Sequence, residues 1–323
     1  MSYSRKLTLS LAIVLTMVVA SALAQQGWSQ AQVIKQAGNP ATVNAVFYDG
    51  DDVWVVGADG LITRSYDDGR TFQEMNLAID AGLNDVFVRK ENVWIIGDAS
   101  TILISTDGGL SFVKRLYAPY GTRASLQEQG GLDLYSVQFI DKEKGYIVGD
   151  EGLILASTDG GYSWREQRST TKEQLFHLSF RGKRGWVVGT GGTILHTSDA
   201  GRNWYPQQSG TNDDLNRVYF VDDETGLITG DNGALLLTQN GGATWERIQL
   251  RLKEPLFGIS FIDKKTGWVV GYGGRIVRTY DGGRNWVEQE SNTSGDLFSV
   301  SFHKNRGYAI GRDGLVMRFY ERR

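Results

Sequence analysis

The stretch that decides the fold of this chain is Gly267–Trp286, GWVVGYGGRIVRTYDGGRNW. It contains an apolar run, a glycine turn, a second apolar run, an acidic turn and a tryptophan. Short runs of β-branched and aromatic residues between glycine turns are typical of strands rather than helices. The composition agrees, since the chain has 41 glycines, 9 tryptophans, 14 tyrosines, 13 phenylalanines and only 4 prolines. We therefore expect an all-β protein.

Related stretches recur along the whole chain. Each repeat begins with an alternating segment, and these segments start near residues 43, 83, 134, 175, 215, 256 and 297. Three further strand segments follow in each of the first six repeats. Four short strands at this spacing are typical of one blade of a ring of antiparallel sheets. The sequence therefore predicts a seven-bladed β-propeller with four antiparallel strands per blade.

The two chain ends complete this count. The seventh repeat ends at Arg323 after only three strands, and the missing strand is found near the start of the chain, at residues 27–33, GWSQAQV. Trp28, followed two residues later by Gln30, resembles the start of the outer-strand segments NWYPQQ and NWVEQE in other repeats. We expect this strand to close the ring, which would leave no free sheet edge. Residues 25–323 are then one domain.

The N-terminal residues have the pattern of a signal peptide. Arg5 and Lys6 precede an apolar run that ends in Ala22-Leu23-Ala24, a small-x-small cleavage pattern. We interpret residues 1–24 as a signal peptide and expect export to the periplasm, or to the thylakoid lumen if the host is photosynthetic. An uncleaved membrane anchor is the alternative reading. The chain contains no cysteine, which excludes disulfides and thiolate sites, and its net charge of −3 does not favour nucleic-acid binding.

The acidic turns follow the pattern Ser/Thr-x-Asp-x-Gly-x-x-Trp/Phe and resemble the Asp-box of bacterial sialidases. An aspartate at this place accepts hydrogen bonds from its own loop, so we expect a structural role and no catalytic residue. The residues are Asp67, Asp107, Asp159, Asp199, Asn240 and Asp281. A sialidase-like glycoside hydrolase or a glycan-binding propeller is the alternative function, but no Arg-Ile-Pro motif is present.

The sequence offers little for other chemistry. His177, His196 and His303 show no metal-ligand spacing, and the glycine-rich segment at 189–192 lacks the lysine and helix of a phosphate loop. We expect no metal, no cofactor and no small-molecule substrate. Protein binding through loops on a rigid ring is then the function that the sequence favours.

Two surfaces are candidates for a protein partner. The first is an insertion, residues 115–133, that joins blades 2 and 3 and should project from the face opposite the Asp-boxes; its anchors would be Arg115, Tyr117, Tyr120 and Arg123. The second is a positive sector on blades 6 and 7, on the Asp-box face. Its members are Lys264, Lys265, Arg284, Lys304 and Arg306. A solvated loop and a solvated charge run are the alternative interpretations.

The signal peptide, the seven repeats and the stretch at 267–286 together resemble the photosystem II stability and assembly factor family, and the resemblance covers Trp28 to Arg323. It implies a non-enzymatic, monomeric scaffold that binds a protein partner, such as a membrane-protein assembly intermediate. In photosynthetic members this partner is a newly made reaction-centre subunit in the thylakoid lumen. Blades 4 and 5 here keep the regular repeat, so no arginine patch of the family is carried over to this sequence.

Overall fold

The computed structural model of the protein describes residues 27–50, 52–117 and 130–320; the predicted signal peptide lies outside them. Seven antiparallel sheets of four strands each make up the fold. The first strands of successive sheets contact one another, and the first strand of the seventh sheet contacts that of the first, so the sheets form a closed ring around a channel. The predicted seven-bladed propeller is confirmed. In the part of the chain that the structure describes, no helix is long and apolar enough to span a membrane.

Every blade is ordered from an inner strand at the channel to an outer strand at the rim. The strands of blade 1 are Val43–Tyr48, Val53–Gly57, Ile62–Ser65 and Gln73–Glu74; those of blade 2 are Leu83–Arg89, Asn92–Gly97, Thr101–Ser105 and Val113–Leu116. The strands of blade 3 are Leu134–Phe139, Gly145–Gly149, Ile154–Ser157 and Arg165–Glu166; those of blade 4 are Leu175–Arg181, Arg184–Gly189, Ile194–Thr197 and Tyr205–Gln207.

The later blades follow the same order. The strands of blade 5 are Leu215–Phe220, Gly226–Gly230, Leu235–Thr238 and Glu246–Arg247; those of blade 6 are Leu256–Phe261, Gly267–Gly271, Ile276–Thr279 and Val287–Gln289. The strands of blade 7 are Leu297–His303, Arg306–Gly311, Leu315–Tyr320 and, from the N-terminus, Gly27–Val33. A small hairpin pairs Lys35–Gln36 with Asn39–Pro40. Short 3-10 turns occupy Asp150–Gly152, Thr190–Gly192, Tyr272–Gly274 and Arg312–Gly314.

The hydrophobic core lies between adjacent blades. The second strand of blade 6, Gly267–Gly271, is buried along its whole length, which explains why its sequence is continuously apolar. The inner strand Leu134–Phe139 instead has two half-buried positions, Tyr135 and Gln138, whose side chains line the channel. The sequence pattern therefore follows the position of each strand in the blade.

The ring closes as the sequence predicts. The strand Gly27–Val33 pairs antiparallel with Leu315–Tyr320, and Trp28 lies opposite Phe319. A second set of contacts joins blades 7 and 1 at Asp68, whose carboxylate accepts hydrogen bonds from the Tyr308 hydroxyl (2.9 Å) and the Tyr320 hydroxyl (2.8 Å). The seam between the two chain ends is thus held by both backbone and side-chain bonds.

Candidate partner-binding surface

Each acidic turn is closed by one recurring set of hydrogen bonds. In blade 1, the Ser65 hydroxyl donates to Asp67 Oδ1 (2.9 Å) and accepts from the Gly69 amide (2.8 Å). The Thr71 amide donates to the same carboxylate oxygen (2.8 Å). Equivalent bonds close the turns at Asp107, Asp159, Asp199, Asn240 and Asp281. The carboxylates are therefore engaged within their own turns.

These bonds stabilise the ionised carboxylates. Hydrogen bonds from Thr71, first from its amide, lower the pKa of Asp67 to about 2. Hydrogen bonds from Ser111, first from its side chain, lower the pKa of Asp107 to about 2. Hydrogen bonds from Asn203, again first from its side chain, lower the pKa of Asp199 to about 2. The donor is always four residues after the aspartate, which is why the turn needs this spacing.

Replacing Asp199 by asparagine, the residue that blade 5 has at this position, should make the protein less sensitive to acid. An aspartate whose pKa is lower in the folded state contributes stability above its unfolded pKa of about 4 and loses it as the pH falls toward 2. The asparagine side chain does not titrate, so we expect the free energy of unfolding of D199N to fall less between pH 5 and pH 2.5. Urea denaturation at both pH values measures this, and an equal fall in the two proteins would contradict it.

The acidic turns also hold neighbouring blades together. Trp94 on blade 2 donates from its indole Nε1 to the Gly160 carbonyl in the turn of blade 3 (2.8 Å). The Tyr146 hydroxyl on blade 3 likewise donates to the Ala200 carbonyl in the turn of blade 4 (3.1 Å). The turn therefore links two blades as well as two strands, which accounts for its repetition around the ring.

The insertion between blades 2 and 3 differs from the expected interface. Tyr117 is only 5% exposed and packs in the core with Leu132, so the prediction that it anchors a partner is wrong. Burial of its ring between two blades is favoured over exposure, and its amide bonds to the Ser100 carbonyl (3.0 Å). Arg115 lies on the exposed outer strand of blade 2. Tyr120 and Arg123 lie outside the described residues.

The positive sector on blades 6 and 7 is partly neutralised. Lys264 forms an ion pair with Asp222 (3.0 Å), and Arg306 forms one with Asp68 (3.1 Å). Lys265 and Lys304 are exposed, and no carboxylate of the described ranges pairs with them. Arg284, in the acidic turn of blade 6, donates to the Asp281 carbonyl of that turn (3.3 Å). Lys265, Arg284 and Lys304 therefore supply the remaining positive charge of the sector.

Beside this sector, three successive blades carry an arginine stacked on a tyrosine. Each tyrosine follows its arginine by two residues, and the guanidinium lies 4.3 to 4.4 Å from the ring centre. The pairs are Arg64–Tyr66 on blade 1, Arg278–Tyr280 on blade 6 and Arg318–Tyr320 on blade 7. Tyr66 and Tyr280 are 50% and 56% exposed, and both lie at the Asp-box face. The sequence analysis missed this tyrosine row, although the Arg-x-Tyr spacing at the end of the third strand is visible in the repeats.

The described part of the chain contains no group of three histidine, aspartate or glutamate side chains arranged to hold a metal ion. His196 packs against Trp186 with ring centres 5.1 Å apart, and His303 packs against Tyr48 at 6.1 Å. His177 lies deeper, at the central channel.

Comparison with known proteins supports the resemblance seen in the sequence. The family model of the photosynthesis system II assembly factor YCF48 matches residues 123–209 and 243–321, together just over half of the chain. A solved structure of YCF48 bound to D1 peptide has a TM-score of 0.75 and 19% identity, covering 93% of this chain and 99% of that one. YCF48 from Cyanidioschyzon merolae has a TM-score of 0.73 and 19% identity, covering 91% and 98%.

Enzymes share the fold as well. The virginiamycin B lyase from Staphylococcus aureus has a TM-score of 0.77 at 12% identity, covering 92% of this chain and 100% of that one. At such identities the solved structures show the fold alone, and the comparison with curated proteins gave no match. The family model, in contrast, matches more than half of the chain, and this match shows that the chain belongs to the YCF48 photosystem II assembly factor family.

Proposed function

We propose that this protein is an exported, non-enzymatic assembly factor that binds and holds a segment of a client protein. The main support is the match to the YCF48 family model, which covers slightly more than half of the chain. Further support comes from the structural likeness to a YCF48 protein that was solved with a D1 peptide. The predicted signal peptide favours action in the periplasm, or in the thylakoid lumen of a photosynthetic host, and we expect the protein to act as a monomer.

The surface that best fits a client segment is the Asp-box face of blades 6, 7 and 1. Tyr66 and Tyr280 offer half-exposed rings whose positions are fixed by the arginines beneath them. Rigid aromatic side chains lose little entropy on binding and are frequent interface anchors. The unpaired charges of Lys265 and Lys304 lie on the same face and favour a client segment that carries acidic residues. The interface therefore has aromatic anchors beside a positive rim.

Hydrolysis of a glycan is not favoured by any residue that the structure describes. The Asp-box carboxylates each accept hydrogen bonds from their own turn, so they do not form a pair of acid and nucleophile across an open site. The enzymes with the same fold share only 12% to 16% identity with this chain.

Loss of both tyrosines should weaken client binding at this surface. We expect the double variant Tyr66→Ala, Tyr280→Ala to bind a fluorescein-labelled D1 peptide at least tenfold more weakly than the unchanged protein, measured by fluorescence anisotropy. Tyr162→Ala is the matched control, because Tyr162 is also about half exposed (48%) in an acidic turn but lies on blade 3. Its affinity for the peptide should not change.

Two other outcomes separate the surface from the function. Equal affinity of the double variant and Tyr162→Ala would show that the client binds elsewhere on the ring. If no D1 peptide binds, and the intact protein cross-links to no protein in the exported fraction of its host, the assembly function itself is contradicted.

A further inference from the structure

The central channel contains three ionisable side chains that the client-binding proposal does not use. The third residue of each inner strand lies at one level of the channel, and on blades 2, 4 and 5 these residues are Asp85, His177 and Arg217. Two cavities of about 350 and 320 Å³ meet there, and all three residues line both of them. The other four blades place alanine, serine or glycine at this level. The channel therefore has a polar waist between two spaces large enough for a small molecule or a side chain.

Arg217 has no ion-pair partner among the described residues at this waist. Its Nη1 donates to the Ser299 hydroxyl of blade 7 (3.2 Å), and none of the described carboxylates lies within ion-pair distance of it. Asp85 is on the same level, but its two oxygens accept from the Val86 and Val137 amides, each at 3.0 Å. A guanidinium deep in a protein is costly unless an anion or several acceptors meet it. Arg217 thus presents to both cavities a positive charge that no described carboxylate pairs with.

His177 provides a second sign of a missing group. Its buried Nδ1 has no hydrogen-bond partner among the described residues. Burial, with a smaller contribution from the nearby Arg217 charge, holds the pKa of His177 well below its usual value, so the ring is neutral. Buried polar atoms of native proteins are nearly always bonded to protein, water or ligand. A guanidinium without an ion pair beside an imidazole nitrogen without a hydrogen-bond partner indicates a place for a bound molecule.

Four aromatic and three asparagine side chains line the mouth of the channel on the face opposite the Asp-boxes. Tyr135 and Phe176 meet edge to face with centres 5.7 Å apart, and Phe257 and Phe298 lie 6.0 Å apart. All four line the cavity of about 350 Å³, which we call the upper cavity; the cavity of about 320 Å³ is the lower one. The Tyr135 hydroxyl donates to Asp150 (2.9 Å), which fixes its ring. A molecule entering here first meets these aromatic rings and asparagine amides and then the Arg217 guanidinium.

We propose that the channel binds a carboxylate attached to an apolar or aromatic body, with the body in the aromatic mouth and the carboxylate on Arg217. A planar guanidinium matches a carboxylate through two parallel N–H donors. A doubly charged phosphate fits less well, because Arg217 is the only cation that the described inner strands place at this level and His177 is neutral. The carboxylate belongs either to a free small acid or to a protein chain. This inference is independent of the tyrosine row, which lies on the opposite face.

Titration with 3-phenylpropionate tests the proposal. We expect saturable binding by calorimetry, and at least tenfold weaker binding of the neutral 3-phenylpropanamide and of inorganic phosphate. Arg217→Gln should weaken binding of 3-phenylpropionate at least tenfold, and Arg217→Lys should weaken it less. Arg181→Gln is the control. Arg181 lines the lower cavity but not the upper one, and its guanidinium donates to the Val221 carbonyl. This variant should bind 3-phenylpropionate like the unchanged protein.

A second arm separates the two sources of the carboxylate. A short peptide that ends in phenylalanine is compared with its C-terminally amidated form; binding of the free-acid peptide alone identifies a protein-borne carboxylate, and binding of 3-phenylpropionate identifies a free acid. Either result supports the site, provided that Arg217→Gln weakens that binding at least tenfold. If Arg217→Gln does not fold, as judged by circular dichroism, ligand-induced shifts of the His177 ring resonances in the unchanged protein replace it. Absence of such shifts, or binding that depends on Arg181 and not on Arg217, would overturn the proposal.

Discussion

Gly109→Ala should lower the free energy of unfolding by about 2 to 5 kcal/mol, while Gly108→Ala, one residue earlier in the same acidic turn, should lower it by about 1 to 2 kcal/mol. Both glycines have positive φ, 71° at Gly108 and 85° at Gly109. Alanine at either position therefore adopts a left-handed conformation, and this cost is common to both. The difference between the two variants isolates the contact with the neighbouring blade.

That contact is with the Trp54 ring of blade 1, which is 1% exposed. A Cβ on Gly109 would overlap the Trp54 ring, whereas a Cβ on Gly108 would meet no atom within 4 Å. Trp54 is enclosed between two blades, so it has little room to move away, and overpacking adds to the backbone cost. Urea denaturation of the two variants provides the measurement. Equal losses would show that Trp54 moves at no cost and that the turn does not hold the blades together.

The fold was predictable because every repeat has the same order of strand and turn segments. The apolar second strand recurs in all seven repeats and the acidic turn in six of them. The predicted fold therefore does not depend on the interpretation of any single repeat. The closing strand was found because its tryptophan and following glutamine resemble the outer-strand segments elsewhere. Position along the chain was no guide to it, since its partner strand is Leu315–Tyr320 at the other end.

The surfaces were less predictable, since they depend on which side of a strand a residue faces. Tyr117 was expected on the surface because it lies in the insertion between blades 2 and 3, yet it packs inward against Leu132. Arg306 was counted as a free positive charge, but the acidic turn of blade 1 brings Asp68 to it across the seam. Contacts between blades 7 and 1 join residues far apart in the chain, which no local pattern reports.

The channel residues were in principle readable from the aligned repeats. Asp85, His177 and Arg217 each occupy the third position of an inner strand, where other blades have small residues. Only the closed ring shows that these positions share one level of the channel. Histidine spacing along the chain was examined for metal ligands, and that test does not detect residues brought together from separate blades.

Trp28→Ala should lower the free energy of unfolding by about 3 to 5 kcal/mol and should also release the closing strand. Trp28 is 5% exposed and meets Phe302 edge to face, with centres 5.7 Å apart. Trp204 is its matched control on blade 4, because it is 3% exposed and meets Phe180 in the same way at 5.8 Å. Removal of either ring leaves a similar cavity, so urea denaturation should give similar losses for the two variants.

The two variants should differ in hydrogen exchange. The outer strand Tyr205–Gln207 follows its partner strand through a short turn, which keeps it close even when its tryptophan is lost. The strand Gly27–Val33 has no such tether to Leu315–Tyr320, since the two are joined only through the whole ring. We expect amide protection of residues 27–33 to fall at least a hundredfold in Trp28→Ala and to be unchanged in Trp204→Ala. Retained protection in Trp28→Ala would mean that the Asp68 contacts and the backbone ladder hold the ring closed without Trp28.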